Sequence, residues 1–145
     1  MAVLIVSKEK VKSENTLKSI AEVAFKTGMK FYFEEPLSPN GNGSAEVYIS
    51  KHYDEEDAYF YLRIEAEKDL IESYNVLKKD GNQYYRLGVT DQADYDRLIY
   101  DFSLAYLQLN PDHFISLYGD NLISLSDMEK IESNGGYYKD WCFDK

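Results

Sequence analysis

A chain of 145 residues, 44% of them hydrophobic, is long enough for one domain with a buried core and too apolar for a disordered segment. Its formal charge of -10 repels nucleic-acid backbones and anionic membrane surfaces and attracts basic proteins. The single cysteine, Cys142, excludes an internal disulfide and any cysteine-based zinc site, and its neighbours Trp141 and Phe143 mark it as a small core residue.

Ala2–Val6 reads as a first strand. The hydrophobic run Ala2–Val6 in MAVLIVSKEK, five residues, is too short for a signal peptide, and the lysines follow the run instead of preceding it, so the expected compartment is the cytoplasm. A helix follows. Ser13 is its expected N-cap, and Leu17, Ile20, Ala21, Ala24 and Phe25 recur at helical spacing, with Gly28 at the C-terminal end. Met29–Glu34 alternates as a strand, and SPNGNGS (38–44) is the clearest loop in the chain.

Glu46–Ser50 and Tyr59–Ala66 are strand candidates joined by HYDEEDA, a hairpin with a wide acidic turn. Residues 67–80 offer two readings. Leu70, Ile71, Tyr74 and Leu77 suit a helical stripe, whereas Asp80-Gly81 suits a hairpin turn; the stripe favours a helix. Gln83–Val89 is a further strand. A long helix is expected from Thr90 or Asp91, with Tyr95, Leu98, Ile99, Phe102, Tyr106 and Leu109 on one face and a stop at Asn110-Pro111. His113–Tyr118 and Asn121–Ser124 form a short strand pair around Gly119-Asp120. Ser126 and Glu129 have capping-box spacing for a last helix, ended by Asn134-Gly135-Gly136. The tail YYKDWCFDK is too aromatic to stay off the body. The expected fold is one α+β domain over 1–145, with an antiparallel or mixed sheet of about five to six strands against three to four helices.

Alternation sorts the side chains of these strands. Phe60, Leu62, Ile64 and Ala66 share one face; Tyr59, Tyr61, Arg63 and Glu65 share the other. Val47 and Ile49 point inward, and Glu46, Tyr48 and Ser50 outward. In 29–34, Phe31 and Phe33 alternate with Tyr32 and Glu34. If the strands pair, Tyr32, Tyr48, Tyr59 and Tyr61 gather on one open face. Such tyrosines could simply pair across strands, at about 0.2–1 kcal/mol per pair. They could also be rigid anchors for a partner, with the acids raising the association rate. The acidic turn beside them favours the second reading. The candidate partner-binding set is Tyr48, Tyr53, Asp54, Glu55, Glu56, Asp57, Tyr59, Tyr61 and Arg63.

The chemical alternatives have less support. Numbered from Asp54, an EF-hand loop would need glycine where Tyr59 stands, and nothing else joins His52 or His113 to a ligand set, so no metal or cofactor is expected. The chain lacks GxSxG, P-loop, dinucleotide and HExxH patterns, and no catalytic residue is assigned. Lys8, Lys10, Lys12 and Lys18 make too small a basic cluster for a nucleic-acid site.

The stretches HYDEEDAYFY, DQADYDRLIYDF and YYKDWCF, in a small acidic chain with 14 tyrosines, resemble the immunity proteins of bacterial toxin–immunity systems. The resemblance implies a protein inhibitor that occludes the active or substrate-binding surface of a cognate toxin, often a basic nuclease. It implies no catalytic residue. Two alternatives stay open: a phage- or host-encoded inhibitor or mimic aimed at a nucleic-acid enzyme, and a small enzyme or metal protein using His52 or His113.

Overall fold

The computed structural model describes residues 3–36, 44–91, 94–117 and 121–143, and the side chains of 5–33 within the first segment. The loop expected at 38–44 and the turn at Gly119-Asp120 fall largely outside it, as does the side chain of Glu34. The chain is α+β, a single sheet with its helices on one side. Among the described residues there are eight strands, more than the five to six expected: β1 (Val3–Ser7), β2 (Lys30–Pro36), β3 (Ala45–Tyr53), β4 (Glu56–Ile64), β5 (Val76–Lys79), β6 (Asn82–Thr90), β7 (His113–Ser116) and β8 (Leu122–Ile123). The α-helices are α1 (Ser13–Thr27), α2 (Asp96–Leu109) and α3 (Leu125–Ser133). Strand order is β2-β3-β4-β6-β1-β7-β8, with β5 also on β6, and all the pairings are antiparallel.

One strand that was not expected comes from 67–80, where the helix expectation is wrong. Leu70 is buried, but Ile71 and Tyr74 are exposed, so the apparent stripe shares no face. The segment makes two short 3-10 turns, Glu67–Asp69 and Ser73–Asn75, and then pairs as β5. Asp80 (φ 52°) and Gly81 (φ 79°) are both left-handed, the backbone a two-residue hairpin turn requires. That local geometry decides the segment.

Three helix expectations also shift. Lys12, not Ser13, occupies the N-cap of α1, and Phe25 is 90% exposed because the buried arc holds Thr16, Ile20, Val23 and Ala24. α2 starts at Asp96 instead of Thr90 or Asp91, since Thr90 completes β6. α3 is capped by Ser124, whose Oγ accepts from Asp127 N at 3.2 Å while Asp127 Oδ2 accepts from Ser124 N at 2.9 Å. This reciprocal pair is a capping box two residues earlier than Ser126 and Glu129.

The core lies between sheet and helices. Val47, Ile49, Phe60, Leu62 and Ile64 meet Ile20, Val23, Leu98, Phe102 and Tyr106, with Phe60 and Phe102 rings edge-on at 5.2 Å. Each such side chain, fully buried, contributes about 1.5–3 kcal/mol. Gly88 lets strands close up here: a Cβ on it would sit 3.1 Å from Ile5 Cδ1 and 3.3 Å from Leu62 Cδ1. The tail does return to the body. Trp141 and Cys142 are buried, Trp141 lies edge-on to Tyr100 at 5.2 Å, and Tyr137 Oη donates to Asp96 Oδ2 at 3.1 Å. Burial, then the Asp96 carboxylate, raises the Cys142 thiol to about 11.

Candidate functional site

The register of the β2-β3-β4 sheet assembles the site. Tyr32 stands opposite Tyr48, and Tyr48 opposite Tyr61. These residues alternate with the core set, so their rings lie on the face away from the helices. The result is a continuous aromatic patch. Tyr48 is its hub, 5.9 Å from Tyr32, 5.8 Å from Tyr59 and 5.0 Å from Tyr61 between ring centroids. Tyr59 and Tyr61 meet edge-on at 6.3 Å. Tyr32 is 55% and Tyr61 40% exposed, so the patch is open to solvent. Ring–ring packing restrains each of these side chains on the surface.

One residue of the patch was not expected. Tyr95, assigned from periodicity to the core stripe of α2, is the N-cap of that helix, and its ring lies 5.2 Å from Tyr59. Desolvation, then Tyr59 and Glu56, pushes its phenol above 10.0. No periodicity argument finds this, because the contact depends on where Tyr95 lies relative to β4 in the folded chain.

The acidic hairpin is tighter than expected. β3 and β4 continue to Tyr53 and Glu56, leaving only Asp54 and Glu55 in the turn. Extending the strands divides the acids. Asp57 lies opposite His52 on the tyrosine side and bonds its Nδ1 at 2.6 Å, both side chains well exposed. Glu56 lies opposite Tyr53 on the helix side. Tyr53 is half-buried there: its Oη donates to Asp101 of α2 at 2.6 Å, and the Arg97 guanidinium lies 5.8 Å from its ring. Burial, then the bond to Asp101, holds its phenol well above the ordinary value. Of the nine sequence-derived candidates, Tyr48, Tyr59, Tyr61, Arg63 and Asp57 therefore share one face, Asp54 and Glu55 form the tip, and Tyr53 and Glu56 belong to the other face.

Glu65 also departs from expectation. β4 ends at Ile64, and Glu65 is 5% exposed instead of facing water, accepting from Arg63 Nε at 2.9 Å. Phe33, expected in the core, is half exposed on the outermost strand. Beside Tyr61 a depression of about 300 Å³ is lined by Glu46, Tyr61, Arg63, Val89, Thr90 and Asp91.

A second cleft, of about 550 Å³, includes Ser7, Lys8, Glu9, Asp112, His113 and Ser126. His113 Nδ1 lies 2.9 Å from Tyr106 Oη, and burial lowers the His113 pKa from 6.5 despite Asp112 and Glu9. Among the described residues no three His, Cys, Asp or Glu side chains lie close enough together to hold a metal ion, and no helix is long and apolar enough to cross a membrane. Comparison with protein-family models, curated proteins and solved structures finds no match to this chain.

Proposed function

We propose that this chain is a protein-binding inhibitor, an immunity protein that neutralises a cognate basic bacterial toxin by covering its active or substrate-binding surface. One observation carries the reading: Tyr32, Tyr48, Tyr59 and Tyr61 form a pre-packed, solvent-open aromatic patch on the helix-free face of the sheet, bordered by acids. Tyrosine gives large contact area at low entropic cost, and surrounding carboxylates steer a cationic partner from a distance. The acids at the hairpin tip and Asp57 stand in solvent, where they contribute to encounter more than to residual affinity. An ordinary interface would bury roughly 800 Å² per partner.

The test uses the parent protein and Tyr61→Ala as paired baits against the native organism's lysate. A basic protein retained by the parent should be lost from the variant, and the purified partner's own activity should fall on adding the parent. Equal retention by both baits would remove the tyrosine face from the reading. The second cleft, around His113, favours a small-molecule reading; its histidine is already engaged by Tyr106 at one ring nitrogen.

A further inference from the structure

The depression beside Tyr61 has a composition that selects one kind of guest. Its wall holds two carboxylates, Glu46 and Asp91, and among the described residues neither has a hydrogen-bond or ion-pair partner. The cation already there, Arg63, stands opposite Glu46 in the β3–β4 ladder and gives its Nε to the buried Glu65 at 2.9 Å, so three carboxylates, Glu46, Glu65 and Asp91, surround one guanidinium and the depression keeps a net negative charge. The aromatic wall is Tyr61, held at 5.0 Å from Tyr48 and 6.3 Å from Tyr59. Val89 and Thr90 at the end of β6 complete the lining.

Resting on the reading of this face as a protein-binding surface, we infer that the partner is gripped by an arginine side chain that enters this depression, stacks on Tyr61 and pairs with Glu46 and Asp91. The volume, about 300 Å³, lies at the lower end of the range of small-molecule sites and has room for a single side chain. Two unpaired carboxylates repel an anion. Two are also too few for the oxygen-rich shell of a hard metal ion. Between the cationic side chains, guanidinium is planar, weakly hydrated and able to stack on a ring while bonding carboxylates in its plane; an ammonium is a compact, strongly hydrated charge. The two carboxylates come from different places, Glu46 from β3 and Asp91 from just beyond β6. Their meeting is a product of the fold and not of an acidic run in the sequence.

The test is a titration followed by amide NMR, with three capped tripeptides as probes: acetyl-Gly-Arg-Gly-amide and its lysine and citrulline counterparts. The arginine peptide should shift the amides of Tyr61, Val89, Thr90 and Asp91 and saturate in the millimolar range. The lysine peptide should bind several-fold more weakly, and the neutral citrulline peptide should leave these amides unmoved. Glu46→Gln with Asp91→Asn should weaken the arginine response at least tenfold while the rest of the spectrum stays in place. Equal shifts from citrulline, arginine shifts centred on Asp54–Asp57, or no shift near Tyr61 would each overturn the inference. The broader reading fails separately. If a captured partner requires Tyr61 yet ignores the Glu46/Asp91 double variant, the arginine inference falls and the binding face stands. If the tripeptide fills the depression but the partner ignores Tyr61→Ala, the depression takes a guanidinium, and the reading of this face as the partner's binding surface falls.

Discussion

The two faces of the β3-β4 hairpin are built from alternate residues of the same two strands, yet they use aromatic side chains in opposite ways. On the covered face Phe60 meets Phe102 edge-on, and that ring stacks on Tyr106; all three are fully buried and surrounded by aliphatic residues. On the open face the rings pack mainly on one another, with Tyr32 and Tyr61 left in solvent. The first arrangement gains from every ångström removed from water. The second keeps a contiguous apolar area exposed, which folded domains seldom do where the area has no use. The difference teaches that the same alternation which builds the core also leaves a rigid surface, and that ring–ring contact alone does not make a core.

The sharpest way to break the comparison is at Phe102. Phe102→Ala should cost about 3–5 kcal/mol in chemical denaturation, since it leaves a cavity against Phe60 and Tyr106. A variant as stable as the parent would mean that the helices do not close this face. A smaller loss is expected at the polar seam on the same side. Tyr53→Phe removes the bond from Tyr53 Oη to Asp101 and should cost about 0.5–1.5 kcal/mol, while Arg97 keeps its contact with Asp101. An unchanged melting curve would place Tyr53 outside the structural seam.

His113 tests the covered face through pH. Burial lowers its folded pKa below 6.5, so the folded chain binds fewer protons there than the unfolded chain. As pH falls through 6.5, the unfolded state gains protons that the folded state refuses, and this residue's contribution to stability declines. His113→Gln should therefore lose stability less steeply than the parent on acidification from about pH 7 to 5. Parallel slopes would show His113 freely solvated.

The smallest effect on folding is expected at the acidic hairpin end. Changing Asp54, Glu55, Glu56 and Asp57 to their amides should move stability by no more than about 0.5 kcal/mol per site, because all four are exposed. Their effect should appear instead in partner association, which should slow and lose much of its salt dependence. A collapse of the fold would mean that these carboxylates hold the hairpin together.

Strand alternation was legible where both faces have clear assignments. Phe60, Leu62 and Ile64 point in and Tyr59 and Tyr61 point out because period two leaves no other choice in a straight strand. It failed at Glu65, where the strand had already ended, and at Phe33, where the strand lies at the sheet edge. Helical periodicity failed at 67–80 because Leu70, Ile71, Tyr74 and Leu77 match a stripe by count, while Asp80-Gly81 and pairing with β6 fix the chain as a hairpin. Tyr95 and Asp91 were unreadable as parts of the candidate site. Their place depends on how Tyr95 and Asp91 each come to lie beside β4, a tertiary fact that no local pattern encodes.

The most direct measurement compares the two sides in one binding experiment. A captured basic partner is titrated against the parent, Tyr61→Ala, and Phe25→Ala, the last altering an exposed ring on α1. Loss of about 2 kcal/mol, or thirtyfold, for Tyr61→Ala with no change for Phe25→Ala is the result expected of a tyrosine-face inhibitor. Unaltered affinity for a folded Tyr61→Ala, with a loss at Phe25→Ala, would contradict the account and move the interface to the helices.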